Sequence, residues 1–369
     1  MIKHKICKIL LVILSIFLCV TFYELLGICV AYKKQPEVSN TTKKETKNGS
    51  WNECSENTER AVIIEKNPEA LLQRVRLIKN AKKEIILSTF AFQSDESGKL
   101  ILGALHDAAD RGVHIRLLVD GMESWIDMEG NPYFYGLSSH ENVEIKLYNK
   151  ANPLKPWKMM GRMHDKYLIA DGKRYILGGR NTYNYFLGDF PGHKNYDRDV
   201  LVVCDEPEKE NSVNQLLEYF ETIWEQEDSG YFHDNKKLAN RKSVKNAVLE
   251  LQNGYQKYFE ENKERICDTD YTDETFETEK IALVSNPIHT GPKEPVVWYQ
   301  LGELMKNAKE RVKIHTPYII CNDMMYNTWK EIAERVPDFS IMTNSVANNG
   351  NPFGSADYAR NRNRILKTG

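Results

Sequence analysis

The chain has 369 residues, 41% hydrophobic and 28% charged, the proportions of folded globular domains, and its length suits two ordinary domains or one large α/β unit. Its formal net charge of −2 excludes a chain-wide basic footprint for nucleic acid while leaving room for a local basic cleft. The seven cysteines include no Cys-x-x-Cys and no Cys/His pair at zinc spacing, which argues against a structural zinc module. Cys54, Cys204, Cys267 and Cys321 allow two disulfides in an oxidising compartment, and a set of unpaired thiols is the simpler reading.

The N-terminus carries Lys3, His4, Lys5 and Lys8, then runs through residues 9–32 with Glu24 as its one charge. Those 24 residues exceed the ~20 that span a hydrocarbon core. A cleaved signal peptide has a shorter apolar core and a small-residue exit, and only Ala31 offers one. A lipoprotein cysteine wants a small residue before it, whereas Leu18 precedes Cys19 and Ile28 precedes Cys29. Residues 1–34 therefore read as a transmembrane anchor. The N-terminal lysines and α-amino group slightly outweigh Lys33 and Lys34, so the body is expected on the extracytoplasmic side of the cell membrane. Residues 35–59, rich in Asn, Thr, Lys, Ser and Glu, read as a polar tether.

A first lobe is expected over residues 60–235. Its opening helix has Asn67 as N-cap and Pro68 at the first helical position. It runs into a β-branched strand ending near Phe92, then a helix from about Ser97 to Arg111 stopped by Gly112, then the strand His114–Asp120. Residues 78–92 resemble residues 305–319, at an offset of 307 − 80 = 227. The same order follows the second copy: Asn322 opens a helix ending near Arg335, and residues 339–343 form the matching strand. Each copy is thus a β-α-β unit with parallel pairing. Residues 236–279 read as a helical, charged connector, and residues 280–369 as a second lobe.

Between the copies lies the segment with chemistry. Asp171-Gly172 is a hairpin turn signal between two apolar strands. Alternation along the first strand puts His164 and Lys166 on one face; Asp171 has the opposite parity and orients the turn. Gly178 and Gly179 end the second strand where a backbone could approach an anion, and Asn181 follows within reach. A histidine that attacks phosphorus, with a lysine and an asparagine stabilising the non-bridging oxygens, suits a phosphodiester. No acidic cluster for Mg²⁺ or Zn²⁺ accompanies them, so no metal and no cofactor is expected.

His164-x-Lys166-x4-Asp171, then six residues and Gly178-Gly179-x-Asn181, resembles the signature of the phospholipase D superfamily. The stretches 131–136, 155–158, 177–183, 343–347 and 358–360 resemble its cardiolipin-synthase-like bacterial branch, and the likeness runs from about residue 60 to the end. The resemblance implies paired α/β lobes, each a mixed β-sheet flanked by helices, that give one such motif apiece to a shared cleft. It implies a phosphohistidine at His164, with Asp171 counted in the catalytic motif. Lys166, Gly178, Gly179 and Asn181 would bind the phosphate, and Asp199 would orient the histidine. Phospholipids at the membrane are the implied partners, with no nucleic acid expected.

One departure matters. Asn80 precedes His164 by 84 residues, which puts the counterpart of His164 near position 391, beyond Gly369. His315 is the single histidine from Met305 onward, and Thr316-Pro317 follow it. The expectation is a membrane-anchored enzyme of phosphatidyl transfer or phospholipid hydrolysis, with an incomplete second lobe and half of the site in this chain. The alternatives are a nuclease or phosphodiesterase of the same fold acting as a homodimer, and an inactive truncated fragment.

Overall fold

Alternating β-branched runs and amphipathic helices assemble one large mixed sheet. Its strands are β1 (Glu59–Ile64), β2 (Glu84–Thr89), β3 (His114–Asp120), β4 (Val143–Tyr148), β5 (Tyr167–Ala170), β6 (Arg174–Gly178), β7 (Asp199–Cys204), β8 (Ser229–Tyr231) and β9 (Phe276–Glu277). They lie in the order β8-β4-β3-β2-β5-β6-β7-β1-β9. β2, β3 and β4 are parallel, while β5, β6 and β7 continue the sheet antiparallel to one another. The computed structural model describes residues 2–49, 59–204, 206, 211–233, 235–345 and 352–368, so Cys54 lies outside the described residues. The sheet belongs to a first unit formed by Met1–Lys34, Asn52–Leu283 and Ile288–Pro292.

Both faces of this sheet are covered, which is why its strands read as nearly continuous apolar runs. One face packs Ile85, Leu87, Ile115, Leu117, Leu168 and Leu201 under the helices Asn67–Asn80 and Glu96–Asp110. The other packs Ile86, Leu118, Ile169 and Val202 under Leu216, Phe220 and Trp224 of the helix Ser212–Trp224. Burial of each such side chain contributes roughly 1.5–3 kcal/mol. The helix Lys242–Glu261, within the segment read as a connector, sends Val244, Leu251 and Tyr255 into this core and so belongs to the first unit.

Strand direction positions the site. β5 runs opposite to β2, so its N-terminal end meets the C-terminal ends of β2, β3 and β4. β6 ends at that edge and β7 starts there, with Gly178 paired to Asp199. The residues on either side of Lys166, Gly178 and Asp199 are thereby collected at the carboxyl edge of a parallel sheet, where α/β folds commonly bind ligands.

The second unit comprises Gln35–Trp51, Val284–Pro287 and Lys293–Gly369. It holds β10 (Arg311–His315) and β11 (Asp338–Met342) as a parallel pair joined by the helix Asp323–Arg335, the same β-α-β order as β2 to β3. Asn322 caps that helix through its side chain, which accepts from the backbone N–H of Met325. Within the segment read as a tether, Ser39 caps a helix over Asn40–Asn48, and Thr42 donates to Glu294 at 2.7 Å. The polar composition there reflects a solvated helix rather than an extended spacer.

At the N-terminus the helix Ile2–Ala31 contains one window, Lys8–Ala31, that is long and apolar enough to cross a membrane.

Candidate active site

Ala170 pairs with Arg174 across Asp171, Gly172 and Lys173; Asp171 at φ 55° and Gly172 at φ 62° are both left-handed and the Lys173 N–H donates to the Ala170 carbonyl at 3.0 Å, the central geometry of a type I′ turn. The Asp171 carboxylate accepts the backbone N–H groups of Lys82, Lys83 and Glu84 at 2.7–3.1 Å. It therefore pins the start of β2 to the hairpin tip. His164 lies at the opposite end of β5, roughly 20 Å away at ~3.3 Å per residue. The carboxylate that the resemblance placed in the catalytic motif is occupied here by the backbone N–H groups at the start of β2, at the far end of the hairpin from His164.

At the working edge His164 keeps one side of its ring open to solvent, while the rest rests against Phe90 with ring centroids 4.6 Å apart. Desolvation against the packed edge, with the Lys166 charge beside it, pushes the pKa of this exposed imidazole down to about 4. The ring is therefore neutral and nucleophilic at physiological pH. Lys166 is buried, donates to the backbone carbonyl of His164 at 2.6 Å, and has its Nζ 5.3 Å from the Phe90 centroid. Its burial lowers its pKa to about 8 against the opposing pull of Asp165, Asp197 and Asp120. Asn181 is fixed by its side-chain oxygen, which accepts the Ala91 N–H at 3.2 Å. The following residue Thr182 bridges Phe92 in parallel, extending the sheet beside β2.

Gly178 and Gly179 face carboxylates. A Cβ on Gly178 would lie 2.0 Å from Asp199 Oδ1, and one on Gly179 would lie 2.1 Å from Asp197 Oδ2. Any side chain at either position would displace an acid that the edge is built around. Asp199, expected to orient the histidine, makes its bonds elsewhere. Its Oδ2 meets Arg74 at 2.9 Å and Arg180 at 3.2 Å, with both guanidiniums buried. Its Oδ1 is buried with no hydrogen-bond partner. The structure makes Asp199 the counter-ion of two internal arginines.

Three contributors escaped the sequence reading. Asp120, at the end of β3, accepts the Met163 N–H at 3.0 Å and so fixes the residue before His164; burial raises its pKa, and Arg162 opposes that. Phe90 forms the platform under His164 and Lys166. Asp197 sits against Gly179, and its charge acts on Lys166. The end of β3 was a legible signal, since the carboxyl edge is where such residues gather. Among the described residues no group of three or more His, Cys, Asp or Glu gathers in a way that could hold a metal ion.

Residues 74–224, the stretch that builds this edge, match the family described as "Cardiolipin synthase, PLD-like domain". That stretch carries a phospholipase D-like domain, similar to the cardiolipin-synthase branch of the superfamily. Cardiolipin synthase C of Escherichia coli is 24% identical to this phospholipase D-like chain over 336 residues, 83% of the chain and 67% of that enzyme. A Helicobacter pylori J99 protein described as uncharacterized is 27% identical over 341 residues, 84% of the chain. The chain spans 64% of that relative's length. Among solved structures, phosphatidylserine synthase of Haemophilus influenzae superposes with a TM-score of 0.54 at 14% identity, covering 84% of this chain and 67% of that one. That likeness supports the fold of the phospholipase D-like lobes, a mixed sheet flanked by helices.

Proposed function

We propose that this phospholipase D-like chain is a membrane-anchored enzyme that transfers the phosphatidyl group of one phospholipid to a hydroxyl or to water. The observation that carries the reading is the neutral His164 held beside a charged, buried Lys166 at the carboxyl edge of the sheet. A ring nitrogen of His164 attacks phosphorus, forming a phosphohistidine as the bond to the leaving oxygen breaks. Lys166 and the Asn181 amide stabilise the charge on the non-bridging oxygens. The acceptor oxygen then attacks the phosphohistidine and restores the free imidazole.

With a pKa near 4, His164 is unprotonated in the free site and cannot also supply the proton that the leaving oxygen needs. A second acid completes the cycle; in a homodimer that pairs two such edges the second imidazole would provide it once the bound phosphate anion raises its pKa above the value of the free site. The apolar helix Ile2–Ala31 supports placement at the membrane, with the body on the extracytoplasmic side by the lysine balance at its ends.

The full chain, reconstituted in vesicles of phosphatidylglycerol and phosphatidylcholine, should release phosphatidic acid or form a diphosphatidyl product. His164→Asn should abolish both, together with an acid-labile phosphoryl adduct. Robust DNA cleavage with no lipid product, or full activity in the His164→Asn chain, would refute the proposal. Titrating wild type with His164→Asn chains tests the homodimer: specific activity per wild-type chain falls as mixed dimers form, and stays constant if each chain works alone.

A further inference from the structure

The loop between β4 and β5 leaves Leu154, Trp157 and Met160 exposed, Leu154 to 76%. The turn after β3 does the same with Trp125 and Ile126, the latter 78% exposed. Large apolar side chains held in water in one neighbourhood call for a partner surface. The two segments are packed together. The Gly121 N–H donates to the Tyr148 carbonyl at 2.7 Å, and a Cβ on Gly121 would strike the backbone of Lys150 at 2.8 Å. Both flank the candidate active site, since Asp120 holds the Met163 N–H and the Ser124 hydroxyl donates to the Phe90 carbonyl.

The loop also touches the apolar helix. The Tyr23 hydroxyl donates to the Leu154 carbonyl at 3.0 Å, and Gly27 approaches Pro156 so closely that a Cβ there would lie 2.5 Å from Pro156 Cγ. The apolar span Lys8–Ala31 is 24 residues, ~36 Å long against a hydrocarbon core of ~30 Å. Tyr23 stands eight residues short of Ala31, about 12 Å down the helix axis. The span exceeds the core by ~6 Å, so if that helix crosses a bilayer a loop bonded at this level reaches roughly 6–9 Å below the headgroup boundary, among the outer acyl chains rather than in bulk water. Tryptophan beside leucine, with the exposed Lys155 between them, is the composition such a boundary favours.

We propose that Leu154, Trp157 and Met160, joined by Trp125 and Ile126, form an interfacial rim that inserts into the membrane carrying the anchor and brings His164 to the headgroup layer. This rests on the membrane reading above and adds to it how substrate is reached: the scissile phosphate is engaged in the plane of the bilayer, with no extraction of the lipid.

The test uses the full chain in vesicles with phosphatidylcholine brominated on its acyl chains, which quenches nearby tryptophans. Wild type should be quenched, and the Trp125→Phe/Trp157→Phe chain, of equal vesicle association, should lose at least half of that quenching. Equal fractional quenching in the two chains overturns the rim, whether or not any lipid is turned over. A second measurement replaces Leu154 and Ile126 by Asp. Turnover of long-chain lipid in vesicles should fall about tenfold, with hydrolysis of soluble bis(p-nitrophenyl) phosphate unchanged. An equal loss on both substrates would also overturn it. Absence of turnover on either substrate counts against the enzymatic proposal alone, since the quenching still decides the rim.

Discussion

Lys166 offers a direct measure of what the site costs the fold. The residue is 5% exposed and its pKa falls from the ordinary 10.5 to about 8. At pH 7 that gap corresponds to about 3 kcal/mol of destabilisation from keeping the charge buried. Replacing it by methionine removes the charge and keeps most of the volume. The variant also loses the bond to the His164 carbonyl, about 1 kcal/mol. Lys166→Met should therefore be about 2 kcal/mol more stable than wild type, a rise of roughly 4–8 °C in Tm for a unit of this size.

The pH dependence has a definite sign. The unfolded chain binds the lysine proton up to about 10.5 and the folded chain only up to about 8. Wild-type stability from this group therefore rises between those two values as pH increases, and the methionine variant lacks that rise. Calorimetry of both chains in detergent at pH 7 and at pH 10 measures it. A variant less stable than wild type at pH 7, or an identical pH slope in the two chains, would refute the buried-charge argument.

Asp171→Ala should cost about 2–3 kcal/mol, because three backbone N–H groups lose their acceptor; kcat per folded molecule should stay near wild type in the vesicle assay. Asp199→Asn should cost about 3–5 kcal/mol by leaving Arg74 and Arg180 uncompensated. Adding Arg74→Met should restore most of that stability, as read by thermal unfolding, and activity should recover with it if Asp199 acts only as a counter-ion. The profile of kcat/KM against pH should fall on the acid side near 4, where His164 protonates, and on the alkaline side near 8, where Lys166 loses its charge. Limbs unmoved in a conservative Lys166→Arg chain with residual activity would remove Lys166 from the alkaline limb.

The local features were legible in the sequence because they depend on neighbours along the chain. Periodicity and turn chemistry place the hairpin around Asp171-Gly172, the apolar helix near the N-terminus and the repeated β-α-β order. Parity alone assigns His164 and Lys166 to one face and gives Asp171 the turn. Asn67 shows the limit of such rules. Its capping signal is right for a helix start, yet its side chain is spent on Arg180 and on the Asn195 carbonyl, and Lys66 holds the cap position.

The carboxylates were decided by the tertiary fold. Asp120, Asp197 and Asp199 are each unremarkable at the end of a strand or in a loop, and their roles are set by what the other strands bring alongside. The antiparallel run of β5, β6 and β7 beside parallel β2, β3 and β4 delivers His164, Gly178 and Asp199 to one edge. Two buried arginines, 106 residues apart in the chain (180 − 74), then claim Asp199. The sequence alone determined the hairpin and the His164, Lys166 and Asn181 it carries, because those depend on residue types at fixed local spacing. Which carboxylates gather at the His164 edge, and which are spent on internal arginines or backbone N–H groups, followed only from long-range pairing, because a carboxylate takes its role from the charges brought within a few ångströms of it.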